Sequence, residues 1–314
     1  MITTITLNPA VDKTVYVTKL SPNDTNRVTK VEVDAGGKGI NCSRMIARLG
    51  GQSTAVAFLG GKTGEFIRVV LEKDGISVDS VNTSKPTRSC LCIEETSGLP
   101  PTTFNERGGP IEHSELVALF EKAKNRARES SFVVLGGSVP LGVNPDIYKV
   151  LVQIAITSGA KAILDADGEP LAEGIKSRPF MIKPNLEEAE RLLGKTLDSK
   201  ADVARAALTI AEGGIELVVI SLGKQGLIAC YEGMIYDVVP PAVKAISTIG
   251  SGDSLIAGIA YGLENGLGIE DCLKLGCAAG AATALSTGAD IGEKSDVDKL
   301  VSQVTITKST PAPV

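Results

Sequence analysis

From Ser114 onward, apolar runs and amphipathic runs alternate with a regularity that few architectures absorb. The apolar runs are Phe132-Val133-Val134-Leu135, Ala162-Ile163-Leu164-Asp165, Phe180-Met181-Ile182-Lys183 and Leu217-Val218-Val219-Ile220. Each is nearly continuous, the mark of a strand buried on both faces. Between them the spacing predicts helices near 114–128, 145–158, 186–193 and 200–213. Strand and helix in turn imply an α/β fold, a parallel sheet covered on both sides. Polar residues gather at the strand ends: Gly136-Gly137-Ser138, Asp165, Lys183-Pro184-Asn185 and Ser221-Leu222-Gly223. Ligands bind along that edge in such sheets. Two further helices are expected near 270–286 and 295–303.

The first third of the chain reads differently. Ile2 to Leu7 is a strand, and Asp12 falls just past its end. Thr14 to Val17 and Val28 to Val33 alternate but lead into no helix, with Arg27 near their junction. Thr54 to Leu59 is a strand of the main sheet. Arg88 to Glu94 and Thr102 to Asn105 form a second alternating pair around Ser97-Gly98. The two pairs together would make a small four-stranded sheet outside the main one, a candidate lid.

Two Gly-rich turns open helices. Asp34-Ala35-Gly36-Gly37-Lys38-Gly39-Ile40-Asn41 leads into an apolar stripe through Met45, Ile46 and Leu49. Ser247-Thr248-Ile249-Gly250-Ser251-Gly252-Asp253-Ser254 follows an apolar, strand-like run and leads into Leu255, Ile256, Ile259 and Leu263. Glycines let backbone approach a ligand, and the free N–H groups of a helix start favour an anion. Asp253 is then either a helix cap or a proton acceptor beside a transferring phosphoryl group. Gly60-Gly61-Lys62-Thr63 imitates a phosphate loop, but Val56 stands where its first glycine is required.

Composition removes several classes of chemistry. The single histidine, His113, precedes an expected helix cap at Ser114 and reads as a surface residue. A Ser-His-Asp hydrolase would rest on it alone, and His-rich zinc sites are excluded. None of the six cysteines forms Cys-x-x-Cys, so they read as small buried hydrophobes in a reducing cytoplasm. A net charge of −5 with interleaved signs, 4% aromatics and no Trp speak against a nucleic-acid partner. No apolar run reaches the length of a membrane span, and Met1 to Leu7 lacks the features of a signal peptide.

Two signatures in order, Ala35-Gly36-Gly37-Lys38-Gly39-Ile40-Asn41 and Ile249-Gly250-Ser251-Gly252-Asp253-Ser254, resemble those of the ribokinase-like (PfkB) carbohydrate kinases. Thr6 to Asp12 and Lys183-Pro184-Asn185 strengthen the likeness, which covers about residues 2 to 304. The opening segment and the Gly-Gly-Lys-Gly-Ile-Asn form are similar to the hexose-phosphate branch, which holds 1-phosphofructokinases, tagatose-6-phosphate kinases and PfkB-type 6-phosphofructokinases. The resemblance implies a three-layer αβα fold with a mainly parallel sheet and a β-sheet lid. It implies one kinase domain over 1–308, lid strands from about 12–34 and 87–106, and a disordered tail over 309–314.

The same resemblance assigns roles. Asp253 matches the catalytic base, and Gly250, Ser251 and Gly252 the hole for the transferring phosphoryl group. Asp12, Gly37, Lys38 and Asn41 match sugar contacts. Arg88, with Arg27 from the lid, matches contacts to the substrate's own phosphate, and Ser138 also belongs to the acceptor site. Lys183 matches a position beside the ATP phosphates, and Ser221, Gly223 and Gly226 the nucleotide cleft. Asn185 and Glu188 match an Asn-x-x-Glu element that organises Mg²⁺ through water. ATP and Mg²⁺, with a possible monovalent cation, a sugar-phosphate substrate and a homodimer through the lid are the implied cofactors and partners. A Rossmann oxidoreductase fits poorly, because the third glycine of its fingerprint would fall at Leu255. A regulator on a dead kinase fold is opposed by the intact Asp253.

Overall fold

The computed structural model of the chain describes residues 1–96 and 101–310. The chain begins with β1 (Ile2–Thr6), β2 (Ala10–Val17), β3 (Lys30–Gly36), α1 (Lys38–Arg48), β4 (Ser53–Leu59) and α2 (Gly61–Lys73). Short strands β5 (Ser77–Val78) and β6 (Val81–Asn82) precede β7 (Arg88–Glu95), β8 (Thr102–Asn105) and α3 (His113–Arg128). Then come β9 (Phe132–Gly136), α4 (Ile147–Thr157), β10 (Lys161–Asp165), α5 (Gly168–Gly174), β11 (Met181–Ile182), α6 (Leu186–Leu193) and α7 (Lys200–Glu212). The chain continues through β12 (Leu217–Ser221), β13 (Leu227–Tyr231), β14 (Met234–Val239), α8 (Ser251–Glu264), α9 (Ile269–Thr283), α10 (Lys294–Val301) and β15 (Thr305–Ser309).

The main sheet runs β15-β14-β13-β12-β11-β10-β9-β1-β4-β5. Pairings from β12 to β5 are parallel, and those among β12, β13, β14 and β15 are antiparallel. Successive residues of the central strands feed opposite cores. Ile5, Val133 and Leu135 pack under α3 and α4 with Leu119, Tyr148 and Leu151. Ile2, Phe132 and Val134 pack under α1, α8 and α9 with Met45, Ile256 and Leu273. This two-sided burial is why the strands read as continuous apolar runs. The second sheet, β3-β2-β7-β8, stands apart from the first. Its pairings are antiparallel for β2–β3 and β7–β8 and parallel for β2–β7.

The expected α/β order holds, with three differences. The hairpin β13–β14 and strand β15 extend the sheet beyond the expected parallel strands, and the strand-like run expected just before the second Gly-rich turn is met only by β14, which a loop at 240–250 separates from that turn. The cap of α3 is Glu112, whose side chain forms a capping box with Glu115, so Ser114 is already inside the helix. Ser309 closes β15 and so belongs to the sheet, not to a disordered tail. The turn at Ser97-Gly98 and residues 311–314 lie outside the described residues. The six cysteines are unpaired, five of them buried. No helix among the described residues is long and apolar enough to cross a membrane.

Candidate active site

Parallel register brings the strand ends to one edge. Thr6 pairs with Gly136, and Gly136 with Asp165, so the last residues of β1, β9 and β10 stand in a row. Lys183 follows β11, and Asn185 bridges to Ser221 at the end of β12. The starts of α1 and α8 meet above this row. Gly37 holds φ 125°, and a Cβ there would come within 2.8 Å of the Thr6 side chain, so only glycine fits this entry to α1. Gly250 caps α8 in the left-handed region at φ 75°.

Asp253 sits in the first turn of α8, buried, yet no side-chain cap bond is made at this helix start. Its Oδ2 instead accepts from Asn41 Nδ2 at 2.8 Å across the helix interface. The Cys42 thiol donates to its carbonyl at 3.2 Å. Asp253 is therefore not a side-chain cap. Burial pushes its pKa up to about 6, helped by the charge of Asp165 and opposed by Lys38, the Asn41 bond and Lys183. Such a carboxylate is ionised at neutral pH but close enough to it to take a proton efficiently. Beside it, the Ser251 hydroxyl is buried without a hydrogen-bond partner.

Below these turns, one buried carboxylate holds two lysines. Asp165, 2% exposed, lies 3.1 Å from Lys38 Nζ and 3.4 Å from Lys183 Nζ through its Oδ1. Neither of its oxygens meets hydrogen-bond geometry, so charge alone joins the three groups. Burial would lower the Lys38 ammonium, but Asp165, Asp253 and Glu188 outweigh it and hold its pKa above the ordinary lysine value. A Cβ on Gly252 would stand 3.4 Å from Lys183 Nζ, so that ammonium faces the start of α8. Two positive charges and a helix N-terminus converge where a polyanion would lie.

Two cavities adjoin the turns that open α1 and α8, and Asp253 lines the first of them. One, of about 600 Å³, is lined by Lys38, Lys183, Asn185, Glu188, Ser221, Gly223, Gly226, Ser251, Gly252 and Asp253. The other, of about 710 Å³, lies between the small sheet and the main one and is lined by Asp12, Gly37, Arg88 and Ser138. Arg88 Nε and Nη2 donate to the Asn8 carbonyl at 3.2 and 3.1 Å, and Nη1 to the Glu106 carbonyl at 2.8 Å. This fixes the fork and leaves other N–H groups for a ligand. Asn8 Nδ2 donates to Ser138 Oγ at 3.0 Å, while the buried Tyr148 hydroxyl pins the Gly137 carbonyl at 2.8 Å. Asp12 is pushed up to about 6 by burial, against the pull of Arg88 and a bond from the Cys90 thiol.

Most of the expected residues converge. Lys38 lines the first cavity rather than the second, and Asn41 reaches Asp253 rather than open space. Arg27 is exposed in the loop between β2 and β3 and lines neither cavity. Asn185 and Glu188 have a structural duty that the spacing alone concealed. They form a reciprocal capping box at α6, Glu188 N–H to Asn185 Oδ1 and Asn185 N–H to Glu188 Oε2, both 2.8 Å. Sequence reasoning marked Asp165 only as a polar strand end and missed Lys224 in the first cavity and Asn8 and Arg107 in the second. The signal for Asp165 was present, a lone carboxylate ending an apolar strand.

Residues 4–296 match the model of the pfkB family carbohydrate kinases. The chain belongs to that family. As a pfkB kinase it is a phosphotransferase with an alcohol group as acceptor, of a family that uses ATP with a divalent metal. It is 36% identical to a 1-phosphofructokinase of Borreliella burgdorferi over 307 residues, 98% of each chain. Phosphofructokinase-2 of Escherichia coli in complex with potassium superposes with a TM-score of 0.90 at 31% identity, covering 96% of this chain and 98% of that one. The tetrameric inhibited form of the same enzyme gives 0.89 at 32% identity over the same shares.

Proposed function

We propose that this pfkB kinase transfers the γ-phosphoryl group of ATP to the O6 hydroxyl of fructose 1-phosphate, giving fructose 1,6-bisphosphate and ADP. The observation that carries the reading is Asp253: buried, bonded to Asn41 instead of its own helix, and lining the cavity that Lys38 and Lys183 also line. The identity to a 1-phosphofructokinase over nearly the whole chain supports the choice of acceptor.

In this reading ATP occupies the cavity of Lys183, Ser221, Gly223 and Gly226, and the sugar phosphate the cavity of Asp12, Gly37, Arg88 and Ser138. Asp253 takes the proton from O6 as that oxygen attacks the γ-phosphorus, and the bond to the β,γ-bridging oxygen breaks. The N–H groups at Gly250–Gly252 and the ammonium groups of Lys38 and Lys183 hold the developing charge. Asn41 orients the base. Arg88 spends its remaining donors on the sugar's phosphate, joined by Arg27 if the small sheet moves or a second copy docks. Bound Mg²⁺ would neutralise the ATP phosphates. No cluster of three or more His, Cys, Asp or Glu able to hold a metal exists among the described residues. Asn185 and Glu188 would face such an ion, directly or through water, with Glu188 Oε1, because their capping bonds use Asn185 Oδ1 and Glu188 Oε2. A monovalent cation is a further candidate requirement, in keeping with the potassium complex of the E. coli enzyme.

The small sheet supports a lid that is also an interface. Its pairing puts Asp34, Asp12, Cys90 and Asn105 in one row, and Val33, Lys13, Leu91 and Phe104 in the next, on the opposite face. The first face is polar and borders the acceptor cavity. On the second, Val31, Val33 and Phe104 are exposed. A second copy pairing there gives the homodimer. We read the chain as one kinase domain working in the cytoplasm on a small sugar phosphate, with neither nucleic acid nor membrane as partner.

The likeness to phosphofructokinase-2 supports a second reading, with fructose 6-phosphate as acceptor; tagatose 6-phosphate is the related alternative. Furanose fructose is nearly two-fold symmetric, so one pocket suits attack from either end. Rates of ADP release with fructose 1-phosphate, fructose 6-phosphate, tagatose 6-phosphate and free fructose decide. The highest kcat/KM is expected for fructose 1-phosphate. Preference for a free sugar would remove the phosphate pocket from the account.

A further inference from the structure

Glu32 lies on β3, on the face of the small sheet that borders the acceptor cavity, and three side chains converge on it. Tyr16 OH donates to its Oε2 at 2.6 Å, and Lys30 Nζ and Thr287 Oγ1 to its Oε1 at 2.6 and 2.9 Å. The first two belong to the small sheet itself. Thr287 does not: it sits on the segment between α9 and α10. The approach is close, since a Cβ on Gly288 would lie 2.7 Å from Glu32 Oε2 and 3.4 Å from Thr14 Oγ1. The far side of the same segment holds the phosphoryl-binding turn. Ser247 Oγ donates to the Gly288 carbonyl at 2.8 Å and accepts from Ile249 N–H at 3.3 Å, one residue before Gly250. A second tie runs from the same segment, Gly292 N–H to Thr283 Oγ1 at 3.0 Å, and Thr283 Oγ1 to Ser254 Oγ at 2.7 Å.

We propose that Glu32 is a positioning residue that fastens the small sheet to the turn at Gly250–Gly252 through segment 284–292. Seating of the small sheet on the acceptor is thereby transmitted to the N–H groups that receive the phosphoryl group. This rests on the reading of the two cavities as acceptor and nucleotide sites. Glu32 touches neither the reacting atoms nor any residue of the catalytic set. What it controls is whether Ser247 and Ile249 hold the turn in its productive shape. Glu32 accepts from a lysine as well as from two hydroxyls, and a hydrogen bond to a charged acceptor is stronger than a neutral one.

The test compares wild type, Glu32→Ala, Glu32→Gln, Thr287→Val and the double variant Glu32→Ala/Thr287→Val. Steady-state kinetics with ATP and fructose 1-phosphate should give a roughly tenfold lower kcat for Glu32→Ala, the scale of one charged hydrogen bond, with KM for ATP unchanged. Thr287→Val should fall in the same direction, and the double variant should be no worse than Glu32→Ala alone. Glu32→Gln, which keeps an acceptor oxygen for Thr287, should recover most of the rate. Hydrogen exchange of the peptide spanning 245–255, measured without ligand, should quicken in Glu32→Ala and Thr287→Val but not in Glu32→Gln. Unchanged exchange in that peptide, or losses that multiply in the double variant, would overturn the inference. An inactive wild type would instead sink the functional reading, and the exchange measurement would still judge the link.

Discussion

At the scale of single residues, the site is built from groups held in states that cost stability. Asp253 and Asp12 are both pushed up to about 6 by burial, from the ordinary carboxylate value of 3.8. The folded state therefore binds these protons more tightly than the unfolded chain. Stability from each group is fully present below the unfolded value and is lost as pH rises through the folded one. Replacing Asp253 with Asn should accordingly raise thermal stability at pH 8, by roughly 2–3 kcal/mol. The gain should vanish near pH 4. Melting curves of Asp253→Asn and wild type across that range check this, and a variant less stable at pH 8 would show that the carboxylate supports the fold. Asp165 is the residue-scale surprise. Its place at a strand end was visible in the sequence, but its two lysine partners come from segments more than a hundred residues apart on one side and from the next strand on the other. Only the parallel register unites them.

At the scale of elements, Asn185 and Glu188 show how one pair serves two ends. As a capping box they start α6, and they also line the cavity of Lys183 and Ser221. The duties separate by substitution. Glu188→Gln keeps a cap acceptor while losing the charge, so the Mg²⁺ concentration for half-maximal rate should rise with little change in melting temperature. Glu188→Ala should raise it too and also destabilise by about 1 kcal/mol, the usual scale of a lost cap. A metal titration beside a thermal melt of each variant reads both. The helices and parallel strands were legible in the sequence because two-sided burial writes long apolar runs, and 3.6-residue spacing is hard to mistake. The hairpin β13–β14 was not. Its strands are joined by Glu232-Gly233, both at positive φ (49° and 73°). That glycine was the available turn signal. The regular alternation of strand and helix before it made another α/β step the natural expectation, and the antiparallel edge broke that pattern.

At the scale of the whole molecule, one sheet edge gathers two cavities, and a small amphipathic sheet stands over one of them. The small sheet was legible from four alternating segments without helices, but its apolar outer face emerged only from the register that sets Val33 beside Lys13, Leu91 and Phe104. If that face pairs copies, Phe104→Glu, at a position already 58% exposed, should leave the fold intact and convert a dimer to a monomer in sedimentation. An unchanged mass would put the interface elsewhere. The central claim concerns the buried carboxylate of Asp253 in the first turn of α8. It is tested most directly by kcat and KM of Asp253→Asn with ATP, Mg²⁺ and fructose 1-phosphate, beside wild type. The account predicts a kcat lower by about 10²–10⁴-fold, the range for loss of a general base, with both KM values nearly unchanged. A kcat within a few-fold of wild type would contradict it, since a chain that transfers phosphoryl groups without this carboxylate takes its proton elsewhere.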